Sequence, residues 1–290
     1  MTSDPALPLL IVGARGRVGR LLVPAFDAMG EAVALSHRGP EAARGALIWD
    51  PLEGAAALEA FVAAQGKPLA MLVLAGSTPA TGADMAVNIS VARACVEAAR
   101  HVGIERVLLA SSSAVYGRGR AEPWHEDDAV TPPSAYGQAK LEMEETCTGR
   151  GVCALRVGNV AGADALLTNT VLTNSGRPLV IDQFEDGRGP MRSYIGPQSL
   201  ARVVLALAQT PDPLPPVLNI GTPTPVDMAD LARAADLPFL WRPAPASATA
   251  RLTLDTGRLE TLVRFTDREQ TAPDMIAQWR ACQTQPGKPK

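Results

Sequence analysis

The stretch LLIVGARGRVGRLL, residues 9–22, decides the predicted fold. Four apolar residues, Leu9–Val12, predict a buried strand, and three regularly spaced glycines follow it: Gly13, Gly16 and Gly19. Apolar residues at helical spacing come next and predict a helix. Glycine permits a tight turn and lets backbone N–H groups approach an anion at the N-terminus of a helix. Although the spacing differs from the usual G-x-G-x-x-G, its place after the first strand predicts a turn that binds a dinucleotide pyrophosphate.

The alternation of apolar runs and helical stretches continues through the first half of the chain. Further strands are predicted at 32–35, 47–49, 69–74, 107–110 and 152–157. Helices are predicted at 17–29, 84–102 and 134–147. Strands separated by helices form βαβ units, which build a parallel sheet covered on both faces. The predicted fold class is α/β, a doubly wound Rossmann-type parallel sheet with a small C-terminal lobe.

Composition excludes several other classes of protein. The 290 residues are 47% hydrophobic with a formal net charge of −3, and no run of Lys or Arg indicates a surface for nucleic acid. No apolar stretch approaches the roughly 20 residues that span a bilayer, and the acidic N-terminal segment is unlike a signal peptide. The four cysteines lack a C-x-x-C pair, and the three histidines lack the spacing of metal ligands. We therefore expect a cytoplasmic protein without a metal, nucleic-acid or membrane partner.

The end of the second strand predicts the type of cofactor. An acid at this place accepts hydrogen bonds from the adenosine ribose of NAD, whereas an arginine suits the 2′-phosphate of NADP. This chain has no acid there but the sequence SHR, with Ser36 and Arg38, and Arg15 lies within the glycine turn. A guanidinium binds phosphate through two parallel hydrogen bonds. NADP is therefore favoured over NAD, the alternative being that both arginines are solvated surface residues.

Two hydroxyl-bearing motifs predict an acid–base site beside the cofactor. The serine cluster SSSAVYG, residues 111–117, follows a predicted strand, where a ligand of a parallel sheet would bind. Tyr136 and Lys140 are one helical turn apart in the stretch SAYGQAKLE. A phenol has a pKa of about 10, and a nearby ammonium lowers that pKa toward neutrality. Y-x-x-x-K is often an ordinary surface pair, but its order after the glycine turn and the serines predicts a catalytic pair.

Taken together, these motifs resemble the extended short-chain dehydrogenase/reductases, also called the NAD-dependent epimerase/dehydratase family, over most of the chain. The resemblance implies that the catalytic residues are Ser112, Tyr136 and Lys140. With the residues above, the predicted cofactor-binding set is Gly13, Arg15, Gly16, Arg17, Val18, Gly19, Ser36, Arg38, Asp50, Leu74, Ala75, Gly76, Asn88, Tyr136 and Lys140. The segment LAGST, residues 74–78, resembles the loop along the cofactor ribose. The predicted substrate-binding residues are Ser113, Asn159 and Arg192.

Two segments depart from the family pattern. Dehydratases of the resembled family carry an Asp-Glu pair directly after the catalytic hydroxyl, where this chain has Ser113 and Ala114. Dehydration by that route is therefore not expected, because elimination needs a carboxyl acid or base near the substrate. The segment MRSYIGPQ, residues 191–198, keeps Arg192 for a substrate phosphate but has lost the aspartate that follows it in the family, which puts recognition of a nucleotide-sugar in question.

The resemblance also implies how the chain is divided. Residues 1–160 plus 193–222 form the predicted NAD(P)-binding domain, and 161–192 plus 223–290 form a small substrate-binding lobe. Trp241 and Trp279 are expected in the core of that lobe. The helices at 84–102 and 134–147 are predicted to pair with those of a second copy, as in dimers of the resembled family.

Three functions stay open on the sequence alone. The first is a nucleotide-sugar epimerase-like enzyme that moves hydride at a carbinol carbon with a tightly bound cofactor. The second is an NADPH-dependent reductase of a small aldehyde or ketone, which the arginines favour. The third is a nonenzymatic NADP-sensing or scaffold protein, since a fold does not determine a function. In all three, the predicted ligands are small molecules.

Overall fold

Parallel strands dominate the computed structural model, which describes residues 7–39, 46–76, 85–168 and 179–283. In chain order the strands are β1 (Leu9–Val12), β2 (Ala34–His37), β3 (Leu47–Ile48), β4 (Ala70–Val73), β5 (Arg106–Ser112), β6 (Val152–Val157), β7 (Asn159–Val160), β8 (Leu179–Gln183), β9 (Met191–Arg192), β10 (Tyr194–Ile195), β11 (Val217–Ile220), β12 (Val226–Asp227), β13 (Phe239–Pro243) and β14 (Arg251–Leu252). Ser77, Thr78 and Asp84, which the sequence places in the ribose loop and at a helix start, lie outside the described residues.

The helices alternate with these strands. They are α1 (Arg17–Met29), α2 (Ala56–Gln65), α3 (Val87–His101), α4 (Ala135–Thr146), α5 (Pro197–Gln209), α6 (Met228–Ala234), α7 (Gly257–Glu260) and α8 (Ala272–Gln283). None of the helices in the described ranges is long and apolar enough to cross a membrane.

Seven strands form one parallel sheet, in the order β11-β6-β5-β4-β1-β2-β3. The strand order reverses between β1 and β4, which opens a crevice at the carboxyl ends of these two strands. The sheet and its helices confirm the predicted doubly wound α/β fold. The remaining strands form three small sheets, β10-β7, β12-β9-β14 and β13-β8, and the division into two domains stays a prediction.

The side chains of β1 divide the core into two layers. Leu9 and Ile11 belong to a buried cluster with Phe26 of α1, and Leu10 and Val12 belong to a second cluster with α3. All four side chains have at most 2% of their surface exposed, because helices cover both faces of the sheet. A strand that is apolar throughout is what such a sheet requires.

The predicted elements differ from the observed ones in a few places. α2 was not predicted, because its sequence AALEAFVAAQ has no clear polar face and buries only Leu58. Trp279 is buried as predicted, with 8% of its surface exposed. Trp241, however, is 36% exposed on β13, so its predicted place in the core is wrong.

Candidate active site

The first and third glycines of the turn allow the chain to pack closely at the crevice. Gly13 has a φ of +89°, and a Cβ atom there would lie 2.5 Å from the backbone nitrogen of Ala75, just after β4. A Cβ atom at Gly19 would lie 2.5 Å from the carbonyl oxygen of Ala14. Since real Cβ atoms do not approach so closely, these two glycines place the N-terminus of α1 at the crevice between β1 and β4.

Gly16 has a different reason to be glycine. It precedes α1 with φ −67° and ψ 170°, a conformation open to any residue, and provides no side-chain cap. A Cβ atom there would meet only the carbonyl oxygen of Gly13, at 3.2 Å. The first N–H groups of a helix lack partners within the helix and favour an anion. The uncapped helix end and the open space beside it fit the pyrophosphate of a nicotinamide dinucleotide.

The glycine turn borders one cavity of about 720 Å³ that extends toward the end of β2. The lining residues there include Ser36, which is buried, and Arg38 and Arg15, which are exposed. No Asp or Glu is among the described residues that line it. Trp49 and Pro51 line it as well, on either side of Asp50, whose carboxylate accepts a hydrogen bond from the Leu52 N–H at 3.0 Å. This cavity has the size and position for the adenosine half of a dinucleotide.

A second cavity of about 640 Å³ extends from the same turn toward the ends of β5 and β6. The two cavities share four lining residues: Arg15, Gly16, Leu74 and Gly76. The second is also lined by the predicted catalytic residues Ser112, Tyr136 and Lys140, by Arg17, Val18 and Gly19, and by Asn159. The structure thus brings the predicted cofactor turn and the predicted catalytic residues to one continuous crevice.

The side chains of Ser112 and Tyr136 line the second cavity together, and the serine hydroxyl is close enough to the phenol to favour its ionised form. Ser112 ends β5, and its oxygen accepts a hydrogen bond from the Ala114 N–H at 3.2 Å, which fixes the side chain in the turn. Tyr136 lies in the first turn of α4, which Ser134 caps by accepting from the Gly137 N–H at 3.1 Å. Burial raises the pKa of Tyr136, and the neighbouring Ser112 hydroxyl opposes this only in part. The expectation of a lowered pKa is therefore wrong for the chain by itself.

Lys140 lines the same cavity with 7% of its surface exposed. Its Nζ donates a hydrogen bond to the carbonyl oxygen of Ala110 at 2.7 Å. Burial lowers the pKa of Lys140 from 10.5 to about 8, and the negative charge of Glu144 acts in the opposite direction. Near neutral pH the amine is thus charged but close to its titration, which suits a group that assists proton transfer.

Of the remaining predicted residues, some line one of the two cavities and others line neither. Asn159 lies on β7 and lines the second cavity. Asn88 is 1% exposed on α3, and its Oδ1 would lie 2.3 Å from a Cβ atom at Gly76. Ala75 lines the adenosine-side cavity. Ser113 and Arg192 line neither cavity.

Arg192 is held away from the crevice by its own hydrogen bonds. Its guanidinium donates to the carbonyl oxygens of Met191 at 2.8 Å, Thr249 at 2.9 Å and Ala250 at 3.4 Å. Burial also lowers its pKa. The structure therefore does not bring Arg192 to the catalytic residues, and its contact with a substrate phosphate stays a prediction.

Sequence reasoning missed Asp164 in the wall of the second cavity. This side chain is buried, and burial raises its pKa. Its carboxylate accepts hydrogen bonds from the N–H groups of Gly162, Leu166 and Leu167 at 2.9 to 3.3 Å. An aspartate directly before a helical apolar run is a recognisable cap, so the signal was present in the sequence. Within the described ranges no three His, Cys, Asp or Glu side chains are placed to hold a metal ion.

Comparison with known proteins agrees with this geometry. The model of the family described as "NAD dependent epimerase/dehydratase family" matches residues 9–221. The chain belongs to this family. Its members use a nicotinamide dinucleotide, and the family is one of enzymes.

Individual relatives share less. A UDP-glucose 4-epimerase of Lacticaseibacillus casei is 36% identical over 74 residues, which are 23% of this chain and 22% of that enzyme. The chain thus matches less than a quarter of the length of that relative. A UDP-glucose 4-epimerase of Lactobacillus helveticus is 22% identical over 222 residues, covering 66% of this chain and 67% of that one. The solved structure of MoeE5 with UDP-glucuronic acid and NAD is 25% identical, with a TM-score of 0.70 over 94% of this chain and 98% of MoeE5.

Proposed function

We propose that this family member is an NAD(P)-dependent oxidoreductase of the epimerase type, which moves hydride at a carbinol carbon of a nucleotide-sugar. The observation that carries the proposal is the position of Ser112, Tyr136 and Lys140, which line the same cavity as the glycine turn. The similarity to UDP-glucose 4-epimerases and to MoeE5, whose structure holds a UDP-sugar acid and NAD, supports this substrate class.

Each of these residues has a defined task in this proposal. Tyr136 exchanges a proton with the substrate oxygen at the carbon where hydride moves, and Ser112 donates a hydrogen bond to that oxygen. Lys140 supplies positive charge, which opposes the effect of burial on the tyrosine. The nicotinamide dinucleotide, when bound, accepts or donates the hydride. Part of the cofactor-binding set predicted from the sequence lines the same cavity: Arg15, Gly16, Arg17, Val18, Gly19, Leu74 and Gly76.

The second candidate is an NADPH-dependent reductase of a small aldehyde or ketone. Two observations favour it: Arg15 and Arg38 are exposed at the cavity beside Ser36, and Arg192 is bonded to backbone carbonyls outside both cavities. The arginines suit the 2′-phosphate of NADP, so we propose NADP as the preferred cofactor under either function. Dehydration is not proposed, because Ser113 and Ala114 replace the acids that it needs.

The deciding experiment has two parts: identification of the cofactor that copurifies with the protein, and a test of candidate substrates. An epimerase retains an oxidised dinucleotide and interconverts UDP-glucose and UDP-galactose, whereas a reductase exchanges NADPH and reduces small carbonyl compounds. Under either function Tyr136→Phe binds the cofactor normally and loses turnover by roughly 10²- to 10⁴-fold. Full activity of Tyr136→Phe refutes the acid–base assignment.

A matched pair of serine variants tests the second hydroxyl. Ser112→Ala should lose activity, whereas Ser134→Ala should keep it, because Ser134 only caps α4. The loss of that cap should lower the free energy of unfolding by about 1 kcal/mol. Equal activities of the two variants contradict a catalytic Ser112.

Two further predictions rest on the same proposal. UDP should bind wild type at millimolar concentration and bind Arg192→Ala more weakly; an absence of UDP binding to wild type favours the small-carbonyl reductase. We also propose a cytoplasmic protein that forms a dimer, in which α3 and α4 pair with those of a second copy. Sedimentation equilibrium tests the dimer, and a monomer at all concentrations excludes it.

A further inference from the structure

Glu144 lies one helical turn beyond Lys140 on α4 and is one of few buried carboxylates in the described ranges. Arg156 of β6 donates to it from Nε at 3.2 Å and 3.1 Å and from Nη2 at 2.7 Å. The side chains of both partners are 6% exposed. The hydroxyl of Ser111 on β5 donates to the same carboxylate. One acid thus joins α4 to two neighbouring strands of the sheet.

The place of this cluster relates it to the catalytic residues. Ser111 stands between Ala110, whose carbonyl accepts the hydrogen bond from Lys140, and Ser112. The carboxylate therefore holds α4 against the segment of β5 that carries both the lysine contact and the catalytic hydroxyl. Buried ion pairs are seldom needed for stability alone, because apolar side chains of similar volume usually replace them without loss. A role in the site explains the cluster better.

We propose that Glu144 is a positioning residue for the reaction: held by Arg156 and Ser111, it anchors α4 to β5 and β6 and keeps a carboxylate one helical turn from the Lys140 ammonium, as its counter-ion. The assignment rests on the proposed function for its effect on turnover, but the effect of the carboxylate on Lys140 is independent of any substrate. Glu144 lines neither cavity, so it acts through Lys140 and Ser111, which both line the second one.

Electrostatics gives the direction of the effect. The titratable groups around the cluster are Tyr136 and Lys140 on α4, Cys153 and Arg156 on β6, Tyr116, whose ring lies 4.8 Å from the Arg156 guanidinium, and Glu126, whose carbonyl accepts from Arg156. Burial lowers the pKa of Lys140, and Glu144 is the charge that opposes it. Removal of Glu144 should therefore let the lysine lose its proton at lower pH.

The experiment removes the ion pair without leaving a charge alone. Glu144→Gln by itself leaves Arg156 buried and unpaired, so the variant to use is Glu144→Gln with Arg156→Met. A second Ser–Glu–Arg cluster offers a matched control: Ser199 and Arg202 donate to Glu269 at 2.9 Å and 2.6 Å, and none of the three belongs to α4, β5 or β6. The control variant is Glu269→Gln with Arg202→Met.

The readout is the titration of Lys140, followed by nuclear magnetic resonance of isotope-labelled lysine side chains. The chain has four lysines, and the Lys140→Met variant assigns the signal. We expect a midpoint of about 8 in wild type and in the control. In the Glu144→Gln/Arg156→Met variant we expect it to fall by up to about 1 unit, because the loss of the Arg156 charge offsets part of the loss of the Glu144 charge.

A kinetic measurement completes the test. The high-pH limb of single-turnover hydride transfer should move down with the lysine midpoint in the Glu144 variant and stay in place in the control. A folded Glu144 variant with the wild-type lysine midpoint overturns the proposal. A lowered midpoint without hydride transfer in wild type from any tested substrate supports the counter-ion assignment and refutes the proposed function instead.

Discussion

The variant Gly16→Ala should weaken cofactor binding at the glycine turn with little change in the stability of the fold. The backbone at Gly16 suits alanine, since its φ is −67°, and the new methyl group would meet only the Gly13 oxygen at 3.2 Å. Alanine costs about 0.5–1 kcal/mol as an N-cap compared with glycine. It also restricts the unfolded chain, which contributes about 0.4–1 kcal/mol in the other direction. The free energy of unfolding should therefore change by less than about 1 kcal/mol.

Cofactor affinity should change far more. The methyl group projects at the uncapped end of α1, where the backbone N–H groups face the crevice. A dinucleotide displaced by it loses at least one hydrogen bond between a backbone N–H and a charged phosphate, worth about 1.5–3 kcal/mol. The dissociation constant should rise roughly 10- to 150-fold. Fluorescence titration with NADPH and with NADH measures the affinity, and urea unfolding of the same samples measures the stability.

Gly19→Ala is the matched control for this prediction. Its Cβ atom would lie 2.5 Å from the oxygen and 2.6 Å from the carbonyl carbon of Ala14, so α1 must move away from the turn. Overpacking of this kind costs about 1–3 kcal/mol of stability. The reasoning fails if Gly16→Ala binds NADPH as wild type does, or if its loss of affinity merely follows a loss of stability as in Gly19→Ala.

Three further predictions concern charges. Arg38→Ala should weaken NADPH binding by about 1.5–3 kcal/mol and leave NADH binding unchanged, and equal losses in titrations with both would make the arginine structural. The pKa of Lys140 is about 8 when folded and 10.5 ordinarily, so the unfolded chain binds more protons between these values and stability rises with pH there. The free energy of unfolding of wild type relative to Lys140→Met should thus increase by up to about 3 kcal/mol between pH 7 and pH 10, and a flat difference in urea unfolding would contradict the buried charge. Glu144→Gln should cost about 3–5 kcal/mol of stability, and Glu144→Gln with Arg156→Met close to none; similar losses in both would argue against an unpaired Arg156 as the cause.

The sequence predicted the sheet well because its strands are buried on both faces. Runs such as Leu9–Val12 are apolar at every position and so lack the polar face of a surface helix. Boundaries were less certain wherever a strand continues into polar residues. β2 was predicted at 32–35 but is Ala34–His37, and β5 was predicted to end at Ala110 but continues to Ser112. The polar residues at these two strand ends line the cavities. A prediction based on apolar runs therefore ended each strand before the residues that form the site.

The candidate site was predictable in its local motifs and less so in its distant contacts. Tyr136 and Lys140 were identified from a short pattern and Ser112 from the family resemblance, and the structure brings all three to one cavity. Whether a residue can contact a ligand depends on the hydrogen bonds that its side chain already makes, and a sequence pattern does not contain this information. Arg192 stands at its motif position, yet its guanidinium is bonded to carbonyl oxygens of β9 and of the chain before β14.

Arg156 shows how a buried contact could still be inferred from sequence. It is the one charged residue in the predicted strand VCALRV, residues 152–157, and a parallel strand covered on both faces has no solvent for a guanidinium. Such a residue needs a buried carboxylate, because an unpaired charge in the interior costs several kcal/mol. The strand's neighbours in the predicted sheet limit the candidates to acids on the covering helices, and α4 carries three: Glu142, Glu144 and Glu145. Only Glu144 lies a full turn beyond Lys140 on the same face, which is the face that must meet the sheet if Lys140 is to reach the crevice. The predicted catalytic lysine and the buried arginine therefore select the same acid, and the observed Glu144–Arg156 pair agrees with that choice.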